Sequence, residues 1–243
     1  MSNVIRKQQC PKCKSLGKDN AEDNLAVYSD GHHFCYSCKY TLFPNGIEKF
    51  KNENKEIEEN KHEVYLPEDV SIFYPREALD WIHKYSLTTV DLLNHNVVWS
   101  KSLERLIFPI HDEDWNLLAW IGRSFNKEPK WFGSGINKEL FHILGKGKTL
   151  VLTEDIVSAI KVSKCNVLAM PLFGAFIGLD RFKRIYNLFG NEFEVKVWLD
   201  FDKRAEALKE AALGRLYGLR CSTIVTELDP KEVSYEEIKQ RVG

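Results

Sequence analysis

The chain has 243 residues, 44% hydrophobic and 28% charged, and its 34 Lys and Arg against 35 Asp and Glu leave a formal net charge of −1. That composition excludes a disordered or fibrous chain, and the length suffices for one large folded unit or two modest ones. No apolar run approaches the roughly 18–20 residues of a membrane span, and the polar start Met1–Gln9 does not read as a signal peptide, so the expectation is a cytoplasmic protein without membrane contact. Residues 1–46 hold Cys10-Pro-Lys-Cys13 and Cys35-Tyr-Ser-Cys38. Four thiolates in two such knuckles suit a tetrahedral zinc ion at about 2.3 Å from each sulfur, with no position left for water, so the ion is expected to be structural. The segment has too few apolar residues for a core of its own, and zinc binding of about 10–16 kcal/mol would supply most of its folding energy. His32 and His33 beside the second knuckle read as polar turn residues, and Cys165 and Cys221 as small buried hydrophobes.

Residues 47–63, rich in Lys, Glu and Asn, read as a solvated linker. Residues 64–148 carry helical patterns around Pro75–Tyr85 and Thr88–His95 and strand-like runs at Leu106–His111 and Leu117–Arg123, an α+β subdomain. From Lys148 onward short apolar runs alternate with helical periodicity, the pattern of a parallel sheet wrapped by helices. Strands are predicted at Thr149–Leu152, Val167–Met170, Val195–Leu199 and Thr223–Thr226. Helices are predicted near Ile156–Ser163, Leu179–Leu188 and Ala205–Tyr217, with a last one starting at Ser234, where Glu237 completes a capping-box spacing. The fold class is therefore α/β, with a small N-terminal zinc ribbon.

Ligands of open parallel sheets bind beyond the carboxyl ends of the strands, and three predicted strands end in acid: Glu154-Asp155, Asp200-Phe-Asp202 and Glu227-Leu-Asp229. A single acid there is an ordinary helix-start residue. Three coincident ends are different, because carboxylates about 4 Å apart repel by about 4 kcal/mol at an effective dielectric of 20 and so take up protons or a cation. An oxygen-seeking divalent ion, Mg2+ or Mn2+, suits such a set.

Thr149-Leu-Val-Leu-Thr-Glu154, Val197-Trp-Leu-Asp200-Phe-Asp202 and Asp229-Pro-Lys-Glu232 resemble the TOPRIM fold shared by primases, topoisomerases and some nucleases. Upstream, Glu104-Arg105-Leu-Ile-Phe-Pro-Ile-His-Asp112, Trp120-Ile-Gly-Arg123 and Pro129-Lys-Trp131 look like the block that precedes TOPRIM in bacterial DnaG-like and T7-like phage DNA primases. The order of zinc ribbon (1–46), linker (47–63), primase subdomain (64–148) and TOPRIM segment (149–243) is also that of those primases. The resemblance implies synthesis of short RNA primers from ribonucleoside triphosphates on single-stranded DNA, in the host cytoplasm if the gene is a phage's, with a separate replicative helicase as a candidate partner. It implies Glu154, Asp200 and Asp202 as catalytic metal-binding acids, Asp229 as an outer carboxylate, and Arg105, Arg123 and Lys130 as a groove for nucleotide phosphate or template; Trp131, by its position beside Lys130, suggests a nucleic-acid role. Arg105 has a competing role as a structural ion pair with Glu104 or an interior acid.

The chain departs from the family pattern where acids are usual, at Ile156 and Ser158, and where a glycine is usual, at Ala205. These departures keep a catalytically weakened nucleic-acid-binding module as an alternative, beside a TOPRIM nuclease. Gly145-Lys-Gly-Lys-Thr149 is not a phosphate loop, since His142 stands where glycine would be needed and the segment precedes a strand.

Overall fold

The computed structural model describes residues 3–15, 17, 21–44, 48–49, 63–112, 114–137 and 139–243. The expected linker, 47–63, lies almost wholly outside them. Two compact units are present, Met1–Lys61 and His62–Gly243. No helix among the described residues is long and apolar enough to cross a membrane.

The first unit is a five-stranded antiparallel sheet in the order β1-β2-β3-β4-β5, formed by Val4–Gln8, Leu25–Tyr28, His33–Cys35, Thr41–Leu42 and Glu48–Lys49, with one short helix, α1, at Pro11–Ser15. Its buried apolar cluster is Cys10, Cys13, Leu25, Cys35 and Tyr40. Three of these five are cysteines, so the center of the unit is chiefly sulfur.

The second unit holds two sheets. One is antiparallel, in the order β10-β9-β8-β7-β6, from Val70–Ser71 (β6), Val98–Ser100 (β7), Arg105–His111 (β8), Leu117–Ser124 (β9) and Trp131–Ser134 (β10). Helices α2 (Arg76–Lys84) and α3 (Thr89–Asn94) lie between β6 and β7 in the chain. Thr88 and Asp91 start α3 with a reciprocal capping box. Asp91 also takes the Lys164 ammonium at 2.6 Å.

The other sheet has the order β11-β13-β12-β14-β15, from Leu144–Gly145 (β11), Thr149–Thr153 (β12), Leu168–Pro171 (β13), Glu194–Trp198 (β14) and Arg220–Thr223 (β15). The strands β13, β12, β14 and β15 run parallel, and β11 pairs antiparallel at the edge. Strand β12 is buried on both faces, as its unbroken apolar run requires. Helices α4 (Ile156–Ser163), α5 (Gly178–Phe189) and α6 (Arg204–Leu216) follow β12, β13 and β14, and α7 (Tyr235–Val242) closes the unit. One apolar cluster joins Ile82, Leu92 and Phe108 of the antiparallel part to Val151, Val157, Trp198 and Ile238. The two parts therefore share a core instead of packing as separate bodies.

The predicted α4 coincides with the observed helix, and the other helices differ by a residue at either end. The last strand is a correction: expected at Thr223–Thr226, it lies at Arg220–Thr223. The chain leaves the sheet after Ile224, whose N–H still reaches Val197 O at 3.0 Å. Trp198 Nε1 then donates to Thr226 Oγ1 at 2.9 Å, and that hydroxyl donates to Leu228 O at 2.7 Å. A buried indole that must satisfy its N–H thus fixes the loop that carries Asp229. Ser234 caps α7 through the Glu237 N–H, but the Glu237 carboxylate turns to Arg241 at 2.6 Å, so the box is only half made.

Candidate active site

In the first unit Cys10 Sγ lies 3.6 Å from Cys38 Sγ, and Cys13 Sγ 3.6 Å from Cys35 Sγ. All four sulfurs fall within 4.8 Å of one another. Four ligands at about 2.3 Å around a tetrahedral zinc stand about 3.8 Å apart, so the spacing fits that ion. The N–H of Lys14 bonds Cys10 O and that of Lys39 bonds Cys35 O, and these turns aim each pair of thiols inward. Among the described residues no other group of three or more His, Cys, Asp or Glu donors converges this closely.

In the second unit the carboxyl ends of β12 and β14 are adjacent, and the loop after β15 reaches the same rim. Asp155 is the N-cap of α4: its Oδ1 accepts from Val157 N at 2.8 Å and Ser158 N at 3.0 Å, and its Oδ2 accepts from Ser158 Oγ at 2.8 Å. Asp200 stands two residues beyond β14, at the start of a 3-10 turn at Phe201–Lys203, and Asp229 Oδ1 accepts the Phe201 N–H at 3.2 Å. Between the three acids sits Lys231. Its Nζ is 3.0 Å from Asp155 Oδ2, 3.1 Å from Asp200 Oδ2 and 3.0 Å from Asp229 Oδ2.

Two oxygens at this rim are buried without a hydrogen-bond partner, Glu154 Oε2 and Asp200 Oδ1. Burial pushes the Asp200 carboxyl up to about 7, with Lys231 opposing and the Asp155 and Asp229 charges adding to the rise. Burial also raises Glu154, helped by Asp202 and Asp155. Against its own burial, the charges of Asp155 and Asp200 hold the Lys231 ammonium far above the usual lysine value, so it stays protonated. Asp202 stands apart: its side chain is 70% exposed and paired with Lys203 at 2.9 Å. Glu227 is exposed and outside the network.

Sequence reasoning thus named Glu154, Asp200, Asp202 and Asp229, placed Asp155 only among the acids at the strand ends, and gave Lys231 no role. The available signal was charge balance: an Asp-Pro-Lys segment arriving at a rim of acids offers a cation. The acids expected to hold a divalent ion do not form a ready cage of three close donors, because Asp155 and Asp229 face the ammonium. Carboxylate oxygens are nonetheless the donors Mg2+ or Mn2+ takes, and the two unpartnered buried oxygens fit such an ion.

The basic set divides. Lys130 is exposed. Arg123 is half-buried, its guanidinium carbon 5.5 Å from the ring centers of both Trp81 and Trp131. Trp131 is half-buried and packs against the main core. Arg105 is a correction. It is 5% exposed, and donates from Nη2 to Pro129 O at 2.7 Å and from Nη1 to Lys130 O at 3.0 Å and Gly122 O at 3.3 Å. A guanidinium satisfied by three carbonyls braces the strands and does not line a groove. The competing expectation, an ion pair with Glu104 or an interior acid, is not met either: its partners are carbonyls, and the Glu104 carboxylate lies 3.4 Å from Lys127.

No family model and no curated protein sequence matches the chain. Solved structures do. The primase fragment of the bacteriophage T7 primase-helicase protein is 14% identical, with 99% of this chain and 98% of that one covered at a TM-score of 0.50. The Aquifex aeolicus primase, comprising zinc-binding and RNA polymerase domains, is also 14% identical, with 99% and 80% covered at 0.55. A DnaG primase catalytic domain bound to single-stranded DNA is 17% identical, with 70% and 73% covered at 0.54. At such identities the likeness is one of fold, and on it, with the four-cysteine cluster and the parallel sheet, this chain has the fold of the phage and bacterial DNA primases.

Proposed function

We propose that the chain is a DNA primase, which joins ribonucleoside triphosphates on a single-stranded DNA template. The observation that carries this reading is the acid rim at the carboxyl ends of β12 and β14, with two unpartnered buried carboxylate oxygens, in a primase fold. Glu154, Asp200 and Asp202 would hold Mg2+ or Mn2+. When bound, such an ion supplies charge stabilisation for the attacking and leaving oxygens of phosphoryl transfer. The residues of the chain contribute position. Strands β12 and β14 are parallel neighbours that would bring Glu154 and Asp200 to one rim, and rigid placement of reacting groups is itself a large part of catalysis. Lys130 offers an exposed ammonium for phosphate, and Arg123, stacked on two indoles, presents a guanidinium of fixed orientation. Cys10, Cys13, Cys35 and Cys38 would hold a structural zinc. The finer domain limits, 1–46, 64–148 and 149–243, belong to the same proposal, as does a separate helicase partner.

Incubation of the protein with single-stranded DNA, labelled ribonucleoside triphosphates and Mg2+ tests it: labelled primers are expected. Cut DNA would instead identify a nuclease, and binding without either product a non-catalytic module. Asp200→Asn is expected to lower primer yield at least about a hundredfold without loss of thermal stability, because it removes a charge from a crowded acid rim. Near-normal synthesis by that variant would refute the site.

A further inference from the structure

The Lys231 side chain is only 15% exposed, and its ammonium is ringed by three carboxylates at 3.0 to 3.1 Å. That is how a cation is bound. The lysine is also held at its backbone: Lys161, 2% exposed on α4, donates from Nζ to Lys231 O at 2.8 Å. Helix α4 therefore grips Lys231 at both ends, with Asp155 at its N-cap on the ammonium and Lys161 on the carbonyl. A lysine whose task was only to tie down its loop would not need the ammonium in the acid rim, since the carbonyl bond and the turn bond from Glu232 N to Asp229 O already fix that segment.

We propose that Lys231 is a built-in cation of the candidate active site: its ammonium fills the place of a second divalent ion among Asp155, Asp200 and Asp229, and leaves one divalent position, at the unpartnered oxygens Glu154 Oε2 and Asp200 Oδ1. The inference rests on the primase reading only for the chemistry of the site, since cation number is measurable without it. The charges are consistent with the assignment. With all three acids ionised, as a bound cation requires, the ring with Lys231 carries two negative charges, whereas the ring without it carries three and attracts a divalent ion more strongly. Ser158 acts in the same direction, because it places a hydroxyl on Asp155 where a further acid would have raised the demand for metal.

The test is a titration of the zinc-loaded, full-length protein with Mn2+, followed by electron paramagnetic resonance of free ion. The wild type is expected to bind one equivalent. Lys231→Met is expected to bind a second, or to bind the first at least about tenfold more tightly. Lys231→Arg, which keeps the charge, is expected to stay at one equivalent. Two equivalents on the wild type, or identical binding by wild type and Lys231→Met, would overturn the proposal. If Lys231→Met does not fold, the wild-type stoichiometry decides alone. Primer synthesis is measured separately: its absence, together with the expected Mn2+ behavior, would remove the polymerising function and leave the cation assignment standing.

Discussion

His142 lies between the two sheets of the second unit in sequence, and its surroundings work against its charge. Burial pushes it down to about 4 from an ordinary 6.5, a hydrogen bond with the His111 backbone opposes this, and His95 and His111 add to the depression. The unfolded chain therefore binds a proton here at a higher pH than the folded one. Stability from this residue is complete above pH 6.5 and is lost as pH falls toward 4. Replacing His142 by Asn removes that dependence. The melting temperature of the wild type should fall relative to that of His142→Asn between pH 6.5 and 4, by the equivalent of about 1–2 kcal/mol after discounting partial exposure. Parallel melting curves over that range would show that the residue is not held neutral.

At the scale of elements, Arg105 joins β8, β9 and the turn that leads into β10. Its passage depends on Gly122, where a Cβ would stand 3.1 Å from Arg105 Cδ. Removing the guanidinium takes a donor from three carbonyls, of which Lys130 O keeps the Ser124 N–H, so Arg105→Ala is expected to cost about 2 kcal/mol of stability. Measured well below its melting point, that variant should bind single-stranded DNA with an unchanged salt dependence. Lys130→Ala should do the reverse. It should melt like the wild type and lose about 0.7 from the slope of log affinity against log salt, the signature of one phosphate contact. Equal effects of the two substitutions on DNA binding would contradict the division between brace and contact.

The whole molecule consists of two units, Met1–Lys61 and His62–Gly243, stabilised by different physics. The second has two large apolar clusters. The first has a small cluster in which cysteines predominate, and under the proposed function a zinc ion would hold it together. Elemental analysis under reducing conditions should find one zinc per chain. A chelator, or Cys35→Ser, should unfold the first unit and leave the thermal transition of the second unchanged. A single transition that shifts as a whole would mean that the units are coupled.

Much of this was legible in the residues themselves. Strands buried on both faces read as unbroken apolar runs, as Leu150–Leu152 does, and Asp155 marks the start of α4 because a short acid caps a helix locally. The spacing of the paired cysteines announced that their four thiols would converge. The strands β6 and β11 have no readable period, since two residues do not complete a pattern. Arg105 and Lys231 lay beyond sequence reasoning for another reason. Their partners are remote: Lys231 meets acids 31 and 76 positions away, and Arg105 meets carbonyls 17 to 25 positions away. Periodicity and spacing report interactions within a turn or a strand, so the sequence by itself determined the elements, the cysteine cluster and the acids at the strand ends. Which cation those acids face, and that Arg105 is buried while Lys130 is exposed, was decided only when the sheets brought distant segments together, because charge pairing depends on distance in space and not along the chain.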